Sequence, residues 1–146
     1  MLKGIDPLLS PELLLTLRAM GHGDEVAIVD ANYPAASAGP RLLRLDGVPA
    51  DAVLDAVLSV LPLDDFVPEA AWCMAVVGEP DAEPPIFAQF RAAILRREGP
   101  AFAMHKLERF AFYARAAHCF ALVQTGERRL YGNVILKKGV ARSDQP

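Results

Sequence analysis

Cysteine and histidine are scarce in this sequence, which holds two cysteines and three histidines among 146 residues. Cys73 and Cys119 both lie among apolar neighbours, as buried thiols do in a reducing compartment, so we expect no disulfide framework. The histidines have none of the short spacings that join metal ligands. We therefore predict that the protein holds no metal.

Long apolar runs and blocks of basic residues are missing as well. No stretch approaches the roughly 20 apolar residues that cross a bilayer. Pro7, Pro11 and Glu12 interrupt the region where a signal peptide would need its apolar centre. The net charge of -3 comes from interspersed charges, without the basic patch that marks nucleic-acid binding. We expect a cytoplasmic protein that contacts neither membrane nor nucleic acid.

The length fits one domain, which we place at residues 1–141, with a frayed tail at residues 142–146. Hydrophobic residues make up 53% of the chain, a high share for a small domain with so much surface to cover. Surplus apolar surface of this kind predicts contacts between subunits.

Hydrophobic periodicity predicts an α/β fold. Ser10, Pro11 and Glu12 form a helix start, and residues 25–30 are apolar on both faces, as in an interior strand with layers above and below it. The same reasoning predicts further strands at residues 41–45, 72–77, 119–125 and 129–137, and helices at residues 13–20, 51–60, 87–97 and 107–117. The last two strands are separated by a Gly126-Glu127 turn, which predicts a C-terminal β-hairpin.

His22 is the first candidate for chemistry, because it lies between two glycines in Gly21-His22-Gly23-Asp24, after a helix and before a strand. Imidazole is the side chain that exchanges protons near neutral pH, and glycine neighbours give it little cover. A surface-loop histidine without a chemical role fits the pattern at least as well. Asp30 ends the buried strand, where ligands collect in open α/β sheets; an Asx-turn that only caps the next loop is equally consistent.

The C-terminal segment and one helix offer further polar groups. Tyr131-Gly132-Asn133 places a phenol and an amide on one face of the predicted strand, with a bare backbone between them that a ligand can approach. A kink or bulge explains the same residues. Arg109 and Tyr113 fall four residues apart on one helical face, which an ordinary solvated face would also show. No dinucleotide loop and no Gly-x-Ser-x-Gly elbow occurs in the sequence, so we predict no cofactor and no serine nucleophile.

In order and spacing, these segments resemble the L-fucose mutarotase and D-ribose pyranase family, and more closely its fucose branch, over nearly the whole chain. The matching stretches are residues 1–3 (MLK), 9–14 (LSPELL), 20–25 (MGHGDE), 30–35 (DANYPA), 109–113 (RFAFY), 125–128 (TGER) and 131–139 (YGNVILKKG). Asn32 is a departure, since some members of the fucose branch carry histidine in this loop.

The resemblance implies a three-layer α/β/α subunit with a central, mostly parallel sheet. It implies a ring-like homo-oligomer, commonly a decamer, with sites near subunit contacts. The implied activity is the interconversion of anomers of a free monosaccharide, L-fucose, without a cofactor. In this sequence it assigns His22 as the proton donor and Asp30, Arg109, Tyr131, Gly132 and Asn133 as sugar contacts.

Two alternatives stay open at this point: a D-ribose pyranase, and a non-catalytic monosaccharide-binding module linked to sugar uptake. The assigned residues also raise a geometric question. A straight strand from Glu25 to Asp30 spans roughly 17 Å, too far for His22 and Asp30 to touch one hexose. Either the glycine loop folds back along the strand, or the two residues come from different subunits.

Overall fold

A computed structural model describes residues 1–143. Its strands are β1 Glu25–Val29, β2 Arg41–Leu45, β3 Ala71–Met74, β4 His105–Leu107, β5 Ala121–Thr125 and β6 Val134–Lys137, and its α-helices are α1 Pro11–Ala19, α2 Ala50–Leu58, α3 Pro85–Glu98 and α4 Arg109–Ala116. Within the described residues the strands form one sheet in the order β2-β5-β1-β6-β3-β4. The single α/β domain expected from the sequence is confirmed.

The sheet is mostly parallel, as predicted. Strands β2, β5 and β1 run parallel to one another, and β3 runs parallel to β4. Strand β6 is inserted between β1 and β3 and is antiparallel to both. As a result the start of β6 lies at the same edge of the sheet as the carboxyl ends of the other strands.

The predicted C-terminal hairpin is wrong. Ala27 at the centre of β1 pairs with Leu122 of β5 on one side and with Ile135 of β6 on the other. In the described part of the chain β5 and β6 are therefore separated by β1 rather than paired. Residues 126–133 cross the end of β1, because this strand is apolar on both faces and takes the centre of the sheet.

Strand β6 is also shorter than predicted, since it begins at Val134 rather than near Arg129. Tyr131 adopts a left-handed backbone conformation with φ 64°, which extended strands do not contain. Tyr131 and Asn133 consequently do not alternate along a strand. The kink that the sequence allowed in this segment is therefore present at Tyr131.

Helices cover both faces of the sheet, which confirms the three-layer architecture. Alternate residues of β1 belong to different layers: Val26 and Ile28 join the core under α1, α2 and α3, whereas Ala27 and Val29 join the core under α4. The largest buried side chains on the first face include Leu13, Leu54, Phe87 and Phe90, and those on the second include Trp72 and Phe112. The layers leave the strand ends accessible at the edges of the sheet.

Two helix starts illustrate how the sequence sets local structure. The predicted cap of α1 is confirmed, because Ser10 Oγ accepts a hydrogen bond of 3.2 Å from the Leu13 amide. Helix α4 begins two residues later than predicted, at Arg109, because Leu107 pairs with Met74 as part of β4. A strand of three residues carries too short a period to be recognised in the sequence.

Cys73 and Cys119 are buried and free, as expected. In residues 1–143 we find no helix with the length and apolarity that crossing a membrane demands. Arg142, predicted as the start of a frayed tail, forms an ion pair of 2.8 Å with Asp65, and residues 144–146 of that tail lie outside the described residues.

Candidate functional site

A cavity of about 250 Å³ opens where the carboxyl ends of β1 and β3 meet the start of β6. Four residues predicted to contact a sugar line it, namely Asp30, Arg109, Tyr131 and Asn133, together with Tyr113. They come from three separate segments of the chain that share one edge of the sheet. This is where ligands are expected in an open α/β fold.

Asp30 and Asn133 form the polar end of the cavity, and both are buried. The Asn133 side chain accepts a hydrogen bond of 2.8 Å from the Asp30 backbone amide and donates one of 3.0 Å to Asp30 Oδ2. The other carboxylate oxygen accepts a bond of 2.9 Å from the Asn32 amide, which is the Asx-turn considered above. The aspartate therefore both shapes the loop and lines the cavity.

The pKa of Asp30 is raised above its ordinary value. Burial is the main cause, since it disfavours the charged form, and the negative charge of Glu127 adds to it. Hydrogen bonds from Asn32, Asn133 and Tyr33 oppose the shift without cancelling it. A carboxyl group in this setting is better suited to exchange a proton near neutral pH than an exposed aspartate is.

Tyr131 and Gly132 form the bend over the cavity. The Tyr131 hydroxyl oxygen accepts a hydrogen bond of 3.1 Å from the Val77 amide, so its own proton can be donated to a ligand. A Cβ on Gly132 would lie 2.6 Å from Cγ of Glu127. The glycine predicted to allow close backbone approach instead allows close packing of the bend against a buried glutamate.

Arg109 enters the cavity from the first turn of α4. Its place is set by Glu108, whose carboxylate accepts hydrogen bonds from the Phe110 and Ala111 amides at the helix start. The Arg109 guanidinium lies 4.7 Å from the centre of the Phe110 ring, and its buried Nε has no hydrogen-bond partner among the described residues. Tyr113 lines the same cavity one turn later, so the predicted helical pair faces the site.

Glu127 and Arg129 support the site, although neither was predicted as a site residue; Glu127 was noted only as part of the matching stretch 125–128 and of a predicted turn. Buried Glu127 accepts hydrogen bonds from the Arg129 side chain and from the Ala50 amide at the start of α2. Its backbone carbonyl accepts from the Ala31 amide at 2.9 Å, next to Asp30. Mainly because Arg129 binds the carboxylate, the pKa of Glu127 falls to about 2. Glu127 therefore ties the loop that carries Asp30 to the segment that leads to Asn133.

His22 lies at the opposite edge of the sheet and does not line this cavity. Its Nε2 is 3.0 Å from Asp64 Oδ1, its ring lies 5.2 Å from the Phe66 ring, and its side chain is 46% exposed. A hydrogen bond of 2.9 Å from the Gly23 amide to the Lys138 carbonyl holds the glycine loop there. The loop therefore does not fold back, and one chain does not bring His22 to Asp30.

Asp64 is a partner of His22 that the sequence did not reveal, since 42 positions separate the two. It is almost fully buried. Burial alone would raise its pKa, but hydrogen bonds from His22 and from the Phe66 amide outweigh burial and lower it. An ionised aspartate on one ring nitrogen orients the imidazole and leaves the other nitrogen for proton transfer.

Comparison with known proteins gives concordant matches. A model of the RbsD / FucU transport protein family matches residues 3–141. Fucose mutarotase from Homo sapiens is 48% identical over 145 residues, which cover 95% of this chain and 94% of that protein. The crystal structure of fucose mutarotase from Streptococcus pneumoniae in complex with L-fucose has a TM-score of 0.90 at 43% identity, covering 97% of this chain and 100% of that chain.

A more distant structure shares the fold. RbsD from Bacillus subtilis complexed with D-ribose has a TM-score of 0.74 at 21% identity, covering 97% of this chain and 100% of that chain. Since the family model spans residues 3–141 and a relative 48% identical covers 95% of the chain, this protein belongs to the RbsD / FucU family.

Proposed function

We propose that this protein is a mutarotase that interconverts the α and β anomers of a free monosaccharide, L-fucose. The observation that carries the proposal is the cavity in which Asp30, Arg109, Tyr131 and Asn133 converge, in a chain 48% identical to a fucose mutarotase. Carboxylate, guanidinium, phenol and amide groups are the donors and acceptors that bind sugar hydroxyls. The cytoplasm is the compartment we propose.

The reaction needs acid/base groups and a held sugar. One group removes the proton from the anomeric hydroxyl while another protonates the ring oxygen, and rotation of the open chain followed by reclosure inverts the anomer. Asp30, with its raised pKa, is suited to hold or accept a proton, and Asn133 and Arg109 are placed to fix hydroxyls. No bond is oxidised or hydrolysed, so this chemistry requires no cofactor.

His22 takes part, in this proposal, from a neighbouring subunit. Strand β1 separates His22 from Asp30 within one chain, and a strand of this length spans roughly 17 Å. His22 and its neighbour Phe66 are exposed on one surface, and Val77 and Leu130 are exposed at the rim of the cavity on another. A contact between two such surfaces would bury apolar area and bring the imidazole of one subunit to the sugar bound by the next. In a ring-like homo-oligomer, which we propose to be a decamer, the same contact would recur between each pair of neighbouring subunits.

Saturation-transfer NMR tests the activity, because it measures exchange between anomers at equilibrium. The panel contains L-fucose, D-ribose, D-galactose and related free sugars. We expect the protein to accelerate exchange of L-fucose most strongly. If every sugar exchanges at the rate seen in buffer alone, the protein is a binding module rather than an enzyme. If D-ribose exchanges fastest, it is a pyranase.

Subunit mixing tests the shared site. His22→Gln and Asp30→Asn proteins, each inactive alone, are mixed, unfolded, and refolded together. If each site takes His22 from one subunit and Asp30 from another, random assembly restores about a quarter of the sites. Two His22→Gln preparations mixed in the same way serve as the control. A mixture as inactive as its components means that the two residues do not act in one shared site.

A further inference from the structure

Gln124 is a buried polar side chain next to the cavity that the proposed chemistry does not use. It lies in β5, between Val29 of β1 and Arg44 of β2. Like Leu122 two residues before it, it faces the layer that contains α4. A buried amide of this kind needs partners for its donors and its acceptor.

The Gln124 amide finds those partners in an edge strand and in the loop after β1. Its Nε2 donates to the carbonyl oxygens of Tyr33 at 3.0 Å and Ala31 at 3.4 Å. Its Oε1 accepts a bond of 2.8 Å from Arg44, which also bonds Asp46. An arginine can only donate, so Arg44 fixes the amide with its oxygen toward β2 and its nitrogen toward the loop.

The loop held in this way forms one wall of the cavity. Asn32 and Tyr33 line it, and the Tyr33 ring packs 5.3 Å from the ring of Tyr113, which lines it from α4. The loop lies beyond the end of β1, outside the strand pairing, and the Tyr33 carbonyl also accepts a bond of 2.8 Å from the Ala35 amide within the loop itself. The bonds from Gln124 are those that tie the Ala31 and Tyr33 carbonyls to β5. A glutamate would pair better with Arg44 but could not donate to two carbonyls, which explains an amide at this position.

We infer that Gln124 is a positioning residue for the sugar cavity: its amide, oriented by Arg44, holds the loop of residues 31–33 so that Asn32 and Tyr33 form a wall at the right distance from α4. The inference concerns the site of the proposed mutarotase and rests on that function for its kinetic consequences. The part of the inference that says Gln124 holds the loop does not depend on any activity.

The Gln124→Glu variant tests it, because this change keeps the side-chain volume and the Arg44 pairing while removing the donors. We expect the KM for L-fucose to rise about tenfold and kcat to change by no more than about threefold. Without sugar, amide hydrogen exchange at Asn32 and Tyr33 should accelerate about tenfold. Lowering the pH should partly reverse both effects in this variant alone, since a protonated carboxyl group donates one hydrogen bond.

Gln89→Glu is the matched control, because the Gln89 oxygen also accepts from an arginine, at 2.6 Å from Arg129, but this exposed residue contacts no carbonyl of the loop. We expect wild-type KM and wild-type exchange at Asn32 and Tyr33. If Gln124→Glu does not fold, Arg44→Gln removes the orienting group at a half-exposed position and should raise KM about threefold.

The outcomes separate this inference from the proposed function. Wild-type KM and wild-type amide exchange in Gln124→Glu overturn the inference while leaving the mutarotase intact. A wild-type protein that accelerates no sugar exchange overturns the proposed function, and the amide exchange measured without sugar then still decides whether Gln124 holds the loop. Equal effects in Gln124→Glu and Gln89→Glu would also overturn the inference.

Discussion

Asn133 holds Asp30 at two points, accepting from its backbone amide and donating to its carboxylate. The two residues are 103 positions apart and lie at the ends of neighbouring antiparallel strands. Because both contacts come from one planar amide, they fix the direction of the carboxyl group as well as its position. The pair therefore fixes how the Asp30 carboxyl group faces the cavity.

Replacing Asn133 by aspartate should remove most of the activity. The change keeps the shape but replaces the donor on Asp30 Oδ2 with a second carboxylate oxygen, and two carboxylates at this distance repel each other and raise the pKa of Asp30 further. We expect kcat/KM for L-fucose to fall about 100-fold, with the acidic limb of its pH profile moving upward. Asn32→Ala is the control, since it keeps the backbone amide that bonds Asp30, and it should lose much less.

Features of the fold that depend on residues close together in the chain could be predicted from the sequence, and those that depend on distant residues could not. The start of α1 and the buried strand β1 were predictable because their signals lie within a few residues, as with Ser10 and the Leu13 amide. The separation of β5 from β6 was not, because β1 enters between them from about a hundred residues earlier. Which strand takes the centre of the sheet depends on which apolar segment is buried most completely. A local sequence pattern does not show this, because it does not compare one segment with the others.

The candidate site likewise contains residues that could be predicted from the sequence and residues that could not. Asp30, Arg109, Tyr131 and Asn133 were assigned by resemblance, and the structure brings them to one cavity. Asp64 and Gln124 lie in no motif singled out in the sequence, and Glu127 was noted there only as part of a turn and of the TGER stretch. Each of the three acts on partners that the fold brings from distant segments. Burying such polar groups costs free energy unless they form hydrogen bonds. Their roles can therefore be recognised only once the structure shows which groups they bond.

Substituting His22 should reduce anomer exchange more than substituting its partner Asp64. His22→Gln removes the group proposed to transfer the proton, and we expect no acceleration above buffer by saturation-transfer NMR. Asp64→Asn keeps an oxygen that can accept from the ring but loses the ionised carboxylate that the lowered pKa indicates, so about a tenfold loss of kcat is expected. Wild-type exchange in His22→Gln would remove His22 from the mechanism.

Glu127 should make stability depend on pH in a defined window. Its pKa falls from 4.5 to about 2 on folding, so its stabilising contribution is complete above the higher value and is lost as the pH drops toward the lower one. We expect Glu127→Gln to reduce the free energy of unfolding by about 2 to 3 kcal/mol at neutral pH, with the difference from wild type shrinking in acid. Urea titrations across this range measure it, and a difference that is constant with pH contradicts the assignment.

Gly132→Ala should strain the bend against the same glutamate. The added Cβ would lie 2.6 Å from Glu127 Cγ, and Glu127 cannot withdraw without breaking its bonds to Arg129 and Ala50. We expect a loss of about 1 to 3 kcal/mol in the free energy of unfolding. At Gly21 the nearest atom would be 3.6 Å away, so Gly21→Ala should be as stable as wild type in the same denaturation experiment.

Arg109→Met should separate ligand binding from stability. The buried Nε of Arg109 has no partner within residues 1–143, and an unsatisfied buried donor costs about 1 to 3 kcal/mol. Methionine keeps an unbranched apolar stem and removes the unpaired group, so the sugar-free protein should melt at a temperature no lower than wild type. The KM for L-fucose should rise about tenfold, because a sugar hydroxyl no longer gains that donor. A variant that melts well below wild type would mean that the guanidinium supports the fold rather than the sugar.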